Sequence, residues 1–346
     1  MSSGQRDAAA PDLRALAAWM AERVAGFGGP LAAEKFAVGQ SNPTYLLTTP
    51  GARYVMRCKP APQAELLPSA HAIEREYRVM TALRGGPVPV ARPIALCEDE
   101  GVIGRAFYLM DHVAGRCFRD NALPGLGAAE RAAIYEEANR VIAALHLIDP
   151  AAVGLADFGR PGQYFVRHIA RWTKQYRLAE TEPIAAMDRL IAWLPDHIPA
   201  DGPERHCLVH GDFKLDNLIF HPSQARVLAV LDWELSTLGH PYADFGYHCL
   251  MWHIAPGLLH GLAGLDLAAL GIPAEADYRR RYEQRTTQSM GDGWRFYLAY
   301  NFFRLAGIFQ GIMHRALSGT ASSGEALAYG RNARTMAELG WRYAEA

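Results

Sequence analysis

Apolar positions in the first third of the chain recur at helical spacing and then at strand spacing. Leu13, Leu16, Ala17, Met20 and Val24 step by three or four residues and predict a helix over 12–25. Residues 1–10 carry no such pattern and read as a loose tail. Phe36-Ala37-Val38-Gly39 runs into the polar turn Gln40-Ser41-Asn42-Pro43, and Thr44 to Thr49 reads as the strand that follows. Pro50-Gly51 is a turn signal, and Arg53 to Cys58 predicts a third strand that closes a hairpin. A helix is predicted from Ala70 to Leu83, with Ile73, Tyr77, Met80 and Leu83 on one face. Val90 to Leu96 and Phe107 to Met110 read as two more strands. This order predicts a small antiparallel sheet with one helix packed on it.

After Gly115 the periodicity turns helical. Ala128 to Leu147, Tyr164 to Arg177 and Met187 to Leu194 read as helices, and the chain beyond Tyr278 is mostly helical. Leu208-Val209 and Val227 to Leu231 are short apolar strands flanking a polar stretch. The expectation is an α+β protein of two lobes. Residues 1–28 are an N-terminal tail and helix, 29–112 a β-rich lobe, and 113–346 a larger, mostly helical lobe.

Composition narrows the function. Lys and Arg number 35 against 36 Asp and Glu, with no polybasic tract, which argues against nucleic acid or a membrane surface as partner. The five cysteines are scattered, as in a reducing compartment. The start of the chain has no apolar signal core, and the longest apolar region, Phe296 to Met313, is broken by Asn301, Arg304 and Gln310. These features read as cytoplasmic.

The polar stretch between the short strands carries the chemistry. His210-x-Asp212-x-x-x-x-Asn217 has the spacing of a kinase catalytic loop, with Asp212 as base and Asn217 as a magnesium ligand. Asp232, at the end of the next apolar strand, is the expected second magnesium ligand, since a hard cation takes oxygen donors. Two literal Asp-Phe-Gly triplets occur. Asp157-Phe158-Gly159 precedes the loop, and Asp244-Phe245-Gly246 lies too far beyond it, so neither is assigned the metal. Asp244 is given a supporting role near the loop, together with His210.

These motifs resemble the aminoglycoside phosphotransferase family, related in fold to protein kinases and choline kinase. Gly39 to Tyr45, Tyr54-Val55-Met56-Arg57 and Trp233 to Pro241 are more narrowly similar to the kinase-like domain fused to large acyl-CoA dehydrogenases and to its free-standing bacterial relatives. The resemblance implies a two-lobed protein-kinase-like fold and an ATP-dependent phosphotransferase, with GTP as the alternative donor and Mg2+ as cofactor. The implied partner is a small hydroxyl-bearing acceptor, imaginable as hydroxyacyl or acyl-CoA-linked and less readily as an aminoglycoside, because no dense acidic cluster lies near the C-terminus. The chain is expected to be a monomer or homodimer.

The resemblance also implies site roles. Gly39, Gln40, Ser41 and Asn42 form the phosphate-gripping turn. Arg57 takes the position of the usual lysine, with Lys59 as its rival and Glu76 as the helix partner, while Glu74 faces elsewhere. Adenine is expected against backbone groups of Met110, Asp111 and His112. Glu234, Tyr300, Asn301 and Arg304 are candidate acceptor contacts. The competing readings are a nucleotide-binding pseudokinase, kept open by Arg57, and a protein kinase, disfavoured by the absence of an Ala-Pro-Glu segment after Asp232.

Overall fold

In the computed structural model, residues 11–36, 42–60, 72–160, 162–200, 206–319 and 326–346 are described. Five strands pair antiparallel in the order β1-β2-β3-β5-β4. They are β1 (Ala32–Lys35), β2 (Thr44–Thr48), β3 (Arg53–Cys58), β4 (Pro93–Cys97) and β5 (Phe107–Asp111). The first strand precedes the expected Phe36–Gly39. It is an edge strand whose side chains are mostly exposed, so it has no apolar alternation to read. The fourth starts at Pro93 instead of Val90, and Val90 instead forms a lone parallel bridge to Val230.

Alternation along β3 and β5 gives the sheet two covered faces. Met56, Cys58, Phe107 and Leu109 join Leu16, Trp19, Met20 and Val24 of α1 (Leu13–Arg23) in one core, where Trp19 meets Phe107 edge-on at 5.0 Å. Asp12 caps this helix by accepting from the Arg14 and Ala15 N–H groups. On the other face, α2 (Ile73–Leu83) buries Ile73, Glu76, Val79, Met80 and Leu83. The sheet therefore carries two helices where the sequence predicts one. The second apolar face of β2 and β3 needs a cover, and the N-terminal helix supplies it.

The chain divides into two compact units, one of residues 1–116 with 219–236 and the other of 117–218 with 237–346. The hairpin of β7 (Leu218–Phe220) and β8 (Val227–Val230) thus lies largely in the first unit. The sequence reading assigned it to the helical lobe, because its parallel bridge and the Val230 N–H bond to Pro89 O are long-range and leave no local trace.

The second unit contains α3 (Ala128–His146), α4 (Tyr164–Leu178), α5 (Ala185–Trp193), the pair β6 (Cys207–Val209) and β9 (Thr237–Gly239), α6 (Pro241–Cys249), α7 (Leu267–Leu270), α8 (Glu275–Thr286), α9 (Trp294–Leu317), α10 (Ala326–Gly330) and α11 (Ala333–Glu345). Its axis is α9, buried nearly all round from Trp294 to Gln310 and packed against α4, α6, α10 and α11. A Cβ on Gly246 would stand 2.9 Å from Asn301 Nδ2, so the glycine is what lets α6 and α9 approach. No helix of the described residues is long and apolar enough to cross a membrane.

Candidate active site

In the first unit the register of the sheet sets the geometry. Arg57 on β3 pairs with Tyr108 on β5, so both side chains leave the same face, beneath α2. Glu76 of α2 comes down on them. Its carboxylate lies 3.0 Å from Arg57 Nε and accepts from the Tyr108 hydroxyl at 3.1 Å and from Asn42 Nδ2 at 2.9 Å. The far end of Arg57 reaches the segment after β8, donating to Asp232 at 2.7 Å and to Glu234 at 2.9 Å. Lys59, the rival cation, pairs instead with Glu74 at 2.9 Å on the more exposed rim. Both pairs follow from strand and helix periodicity: 57 and 59 share a strand side, and 74 and 76 diverge around the helix.

One guanidinium therefore faces three carboxylates. Burial by itself would lower the Arg57 pKa, but Glu76, Tyr108, Asp232 and Glu234 outweigh it and raise it above the ordinary value. Burial pushes Glu76 up to about 7 against the pull of Arg57, and the Asp232 and Glu234 charges push the same way. The cluster offers carboxylate oxygens, the hard donors that a divalent cation takes. Among the described residues no group of three or more His, Cys, Asp or Glu is placed to hold a metal ion. Magnesium does not need one, because it keeps waters and takes substrate phosphate oxygens.

Asp232 has a left-handed backbone, φ 63° and ψ 59°, at the start of a short 3-10 turn. Asp tolerates this region better than most residues, and a non-glycine residue held there marks a position fixed by its surroundings. Gly39, Gln40 and Ser41 lie outside the described residues. Asn42, the last residue of that expected turn, is buried on Glu76. At the expected adenine segment, the Asp111 N–H already donates to Arg92 O at 3.0 Å, and the Asp111 side chain forks with Arg92 at 2.7 and 2.8 Å. Met110 is buried and His112 half-buried.

In the second unit, the loop after β6 is held from below. Gly211 has φ 85°, a conformation that glycine adopts without cost. The buried Asp244 carboxylate of α6 accepts from the His210 N–H at 2.7 Å and the Gly211 N–H at 2.8 Å. His146 Nε2 lies 3.1 Å from the same carboxylate. That nitrogen donates to the carboxylate, and Nδ1 lies 2.6 Å from the Tyr282 hydroxyl. Burial alone would raise the Asp244 pKa, but the His146 bond and the His210 contacts hold it below the ordinary range. Asp244→Ala leaves two loop amides and His146 without their acceptor. It should cost roughly 3 kcal/mol or more, read as a lower urea midpoint. An unchanged midpoint would show that the loop stands without it.

This support delivers Asp212 with its neighbours arranged around it. Asn217 Nδ2 donates to the Asp212 backbone carbonyl at 2.8 Å and to its carboxylate at 3.1 Å. With its amide hydrogens spent there, Asn217 keeps Oδ1 for another partner. Lys214 Nζ stands 3.2 Å from the Asp212 carboxylate and 3.6 Å from that of Asp216. Burial would lower the Lys214 pKa, but Asp212 outweighs it and raises it. The sequence reading passed over Lys214, although it stands inside the motif two residues after Asp212. Arg304 of α9 donates to Gly211 O at 2.5 Å and stacks over Tyr247 at 4.6 Å. Asn301 is fully buried and donates to Ala243 O and Tyr297 O, tying α9 to α6, and Tyr300 is buried beside it.

In both literal Asp-Phe-Gly triplets the phenylalanine serves the core. Phe158 and Phe245 are buried, and Phe245 stacks on Tyr282 at 4.0 Å.

The model of the phosphotransferase enzyme family matches residues 32–295. The chain belongs to that family. A crystal structure from Ralstonia eutropha, provisionally assigned to the aminoglycoside phosphotransferases, shares this family member's fold at TM-score 0.89 and 61% identity, covering 97% of this chain and 99% of that one. The spectinomycin phosphotransferase, solved with ADP and spectinomycin, matches at TM-score 0.62 and 12% identity over 96% and 98% of the two chains, a likeness of fold alone. Mouse acyl-CoA dehydrogenase family member 10 is 48% identical over 91% of this chain and 29% of its own length. Mouse family member 11 is 41% identical over 95% of this chain and 43% of its own length. The phosphotransferase-family chain thus spans less than half of these curated relatives. Its fold is the two-lobed, kinase-like α+β fold expected from the motifs.

Proposed function

We propose that this chain is an ATP-dependent small-molecule kinase that moves the γ-phosphoryl group to a hydroxyl of an acceptor, preferably a hydroxyacyl compound carried on coenzyme A. The observation that carries the reading is the Asp212 carboxylate braced by Asn217 and Lys214 on a loop fixed by Asp244. The acyl-CoA link rests on the names of the curated relatives, of whose length the match spans 29% and 43%.

In the proposed reaction the acceptor hydroxyl attacks the γ-phosphorus, and the bond to the bridging β-oxygen breaks to release ADP. Asp212 orients the hydroxyl and takes its proton. Lys214 offers charge to the transferring group. Asn217 Oδ1 and the Asp232 carboxylate are the assigned oxygen donors for Mg2+, which when bound neutralises charge on the β- and γ-phosphates. Arg57, held by Glu76, is the assigned cation for the nucleotide phosphates, and the arginine fork suits two oxygens at once. Residues 39–42 remain the proposed phosphate turn, and 110–112 the proposed adenine edge.

A coupled ADP-release screen tests this reading. The panel is hydroxyacyl-CoAs, amino alcohols, sugars, macrolides and aminoglycosides with ATP and Mg2+. The expected result is ADP release stimulated by a hydroxyacyl-CoA above the acceptor-free rate. A rate indifferent to every acceptor would leave a nucleotide-binding module in its place.

A further inference from the structure

The α4 helix carries four Lys and Arg residues and no Asp or Glu. Arg177 is neutralised by Glu180 and Asp188, and Arg167 donates to Arg160 O. Arg171 and Lys174 are exposed and form no ion pair with any described residue. Positions 167, 171 and 174 follow i, i+4, i+7 spacing, so the three cations line one stripe about 10 Å long at 1.5 Å per residue.

That stripe adjoins the catalytic loop within the same unit. Arg304, which donates to Gly211 O, stacks over Trp172 of α4 at 5.8 Å. His168, stacked on Tyr164 at 4.0 Å, lies within the fields of Arg304, Arg171 and Arg167. Burial first, and then those three guanidiniums, push His168 down to about 3, so it adds no charge of its own. Arg171 also acts on Tyr300 of α9. Arg304 forms no ion pair among the described residues and lies within the field of the Asp212 carboxylate, so the cations of α4 lead through it toward the loop.

We propose that Arg171 and Lys174, with Arg167 on the same stripe, dock the phosphates of the acceptor's coenzyme A carrier, while the hydroxyacyl end points along Arg304 to the loop. The inference rests on the acceptor class proposed above and adds to it the residues that select a polyanionic carrier. The carrier is argued from charge complementarity. The 3′-phosphorylated ADP end of coenzyme A presents several negative charges in a short span, and two cations without protein counter-charges stand ready to meet them.

Calorimetric titration of coenzyme A and dephospho-coenzyme A tests this, with the donor site filled by saturating Mg2+–ADP. Wild type should bind coenzyme A more tightly than the dephospho form, in a salt-dependent way. Arg171→Glu/Lys174→Glu should weaken coenzyme A binding more than tenfold and bring the two ligands together. The milder pair Arg171→Gln/Lys174→Gln should fall between. Acceptor-free Mg2+-dependent ATP hydrolysis should stay at the wild-type rate in both variants. Equal coenzyme A binding in wild type and the charge-reversed variant, or none in wild type, overturns the inference. In either case retained ATP hydrolysis and transfer to another acceptor would leave the kinase reading standing, whereas loss of both in wild type would remove that reading instead.

Discussion

Asp212→Asn should lower acceptor-dependent turnover by roughly 10³-fold while leaving nucleotide affinity within a few-fold, the usual scale for removing a positioned base. The substitution keeps the shape of the side chain, and Asn217 and Lys214 remain beside it, so the loop should stay folded. What is lost is the group that takes the hydroxyl proton. Lys214 also loses the carboxylate that raises its pKa. The split between kcat and nucleotide affinity is the useful readout. A fall in nucleotide affinity with kcat retained would mean that Asp212 binds ADP or ATP and does not act on the acceptor.

The second large effect belongs to Asp232. Asp232→Ala removes one of the three carboxylates around Arg57 and the proposed metal oxygen together. Arg57 remains held by Glu76 and Glu234, so the first unit should keep its fold. Activity should fall on the order of 10³-fold or more, since a bound metal supplies several kcal/mol of charge stabilisation at 1.36 kcal/mol per decade. Titration of Mg2+ in the presence of a nonhydrolysable ATP analogue should show weakened metal dependence. Undiminished magnesium affinity and turnover would remove Asp232 from the metal site.

How much of this was legible in the sequence varies with the range of the interactions. The loop from His210 to Asn217 was readable because its parts are contiguous and its strand–turn–strand frame is short. Asp232 follows at the end of the next short strand, but its pairing with Arg57 leaves no local trace. Arg57 and Lys59 were both proposed on one strand side, and only the descent of α2 separates them, giving Glu76 to the first and Glu74 to the second. Lys214 was missed because a lysine in a polar loop carries no signal until its distance to Asp212 is known.

The long-range features were the hardest to read. The N-terminal helix was set apart from the β-rich lobe, because nothing local says that Trp19 meets Phe107. The hairpin from Ile219 to Ser236 belongs to the first unit through its contacts around Pro89 and Val90, more than a hundred residues away. Asn301 looked like a pocket residue, since a polar side chain on an apolar helix suggests a ligand. Its amide instead meets two backbone carbonyls, in the space that Gly246 opens. Arg57 has more carboxylate partners than a lysine at the same place would serve. Its fork reaches Glu76, Asp232 and Glu234 at once, which a single ammonium would do less well.

The most direct test follows the phosphorus itself. The protein is incubated with γ-labelled ATP, Mg2+ and a hydroxyacyl-CoA, and the acceptor is recovered and analysed by mass spectrometry and 31P NMR. The account predicts that the acceptor hydroxyl gains one phosphoryl group for each ADP formed, and that Asp212→Asn lowers product formation roughly 10³-fold. Label recovered entirely as inorganic phosphate, with every acceptor unmodified, would contradict it.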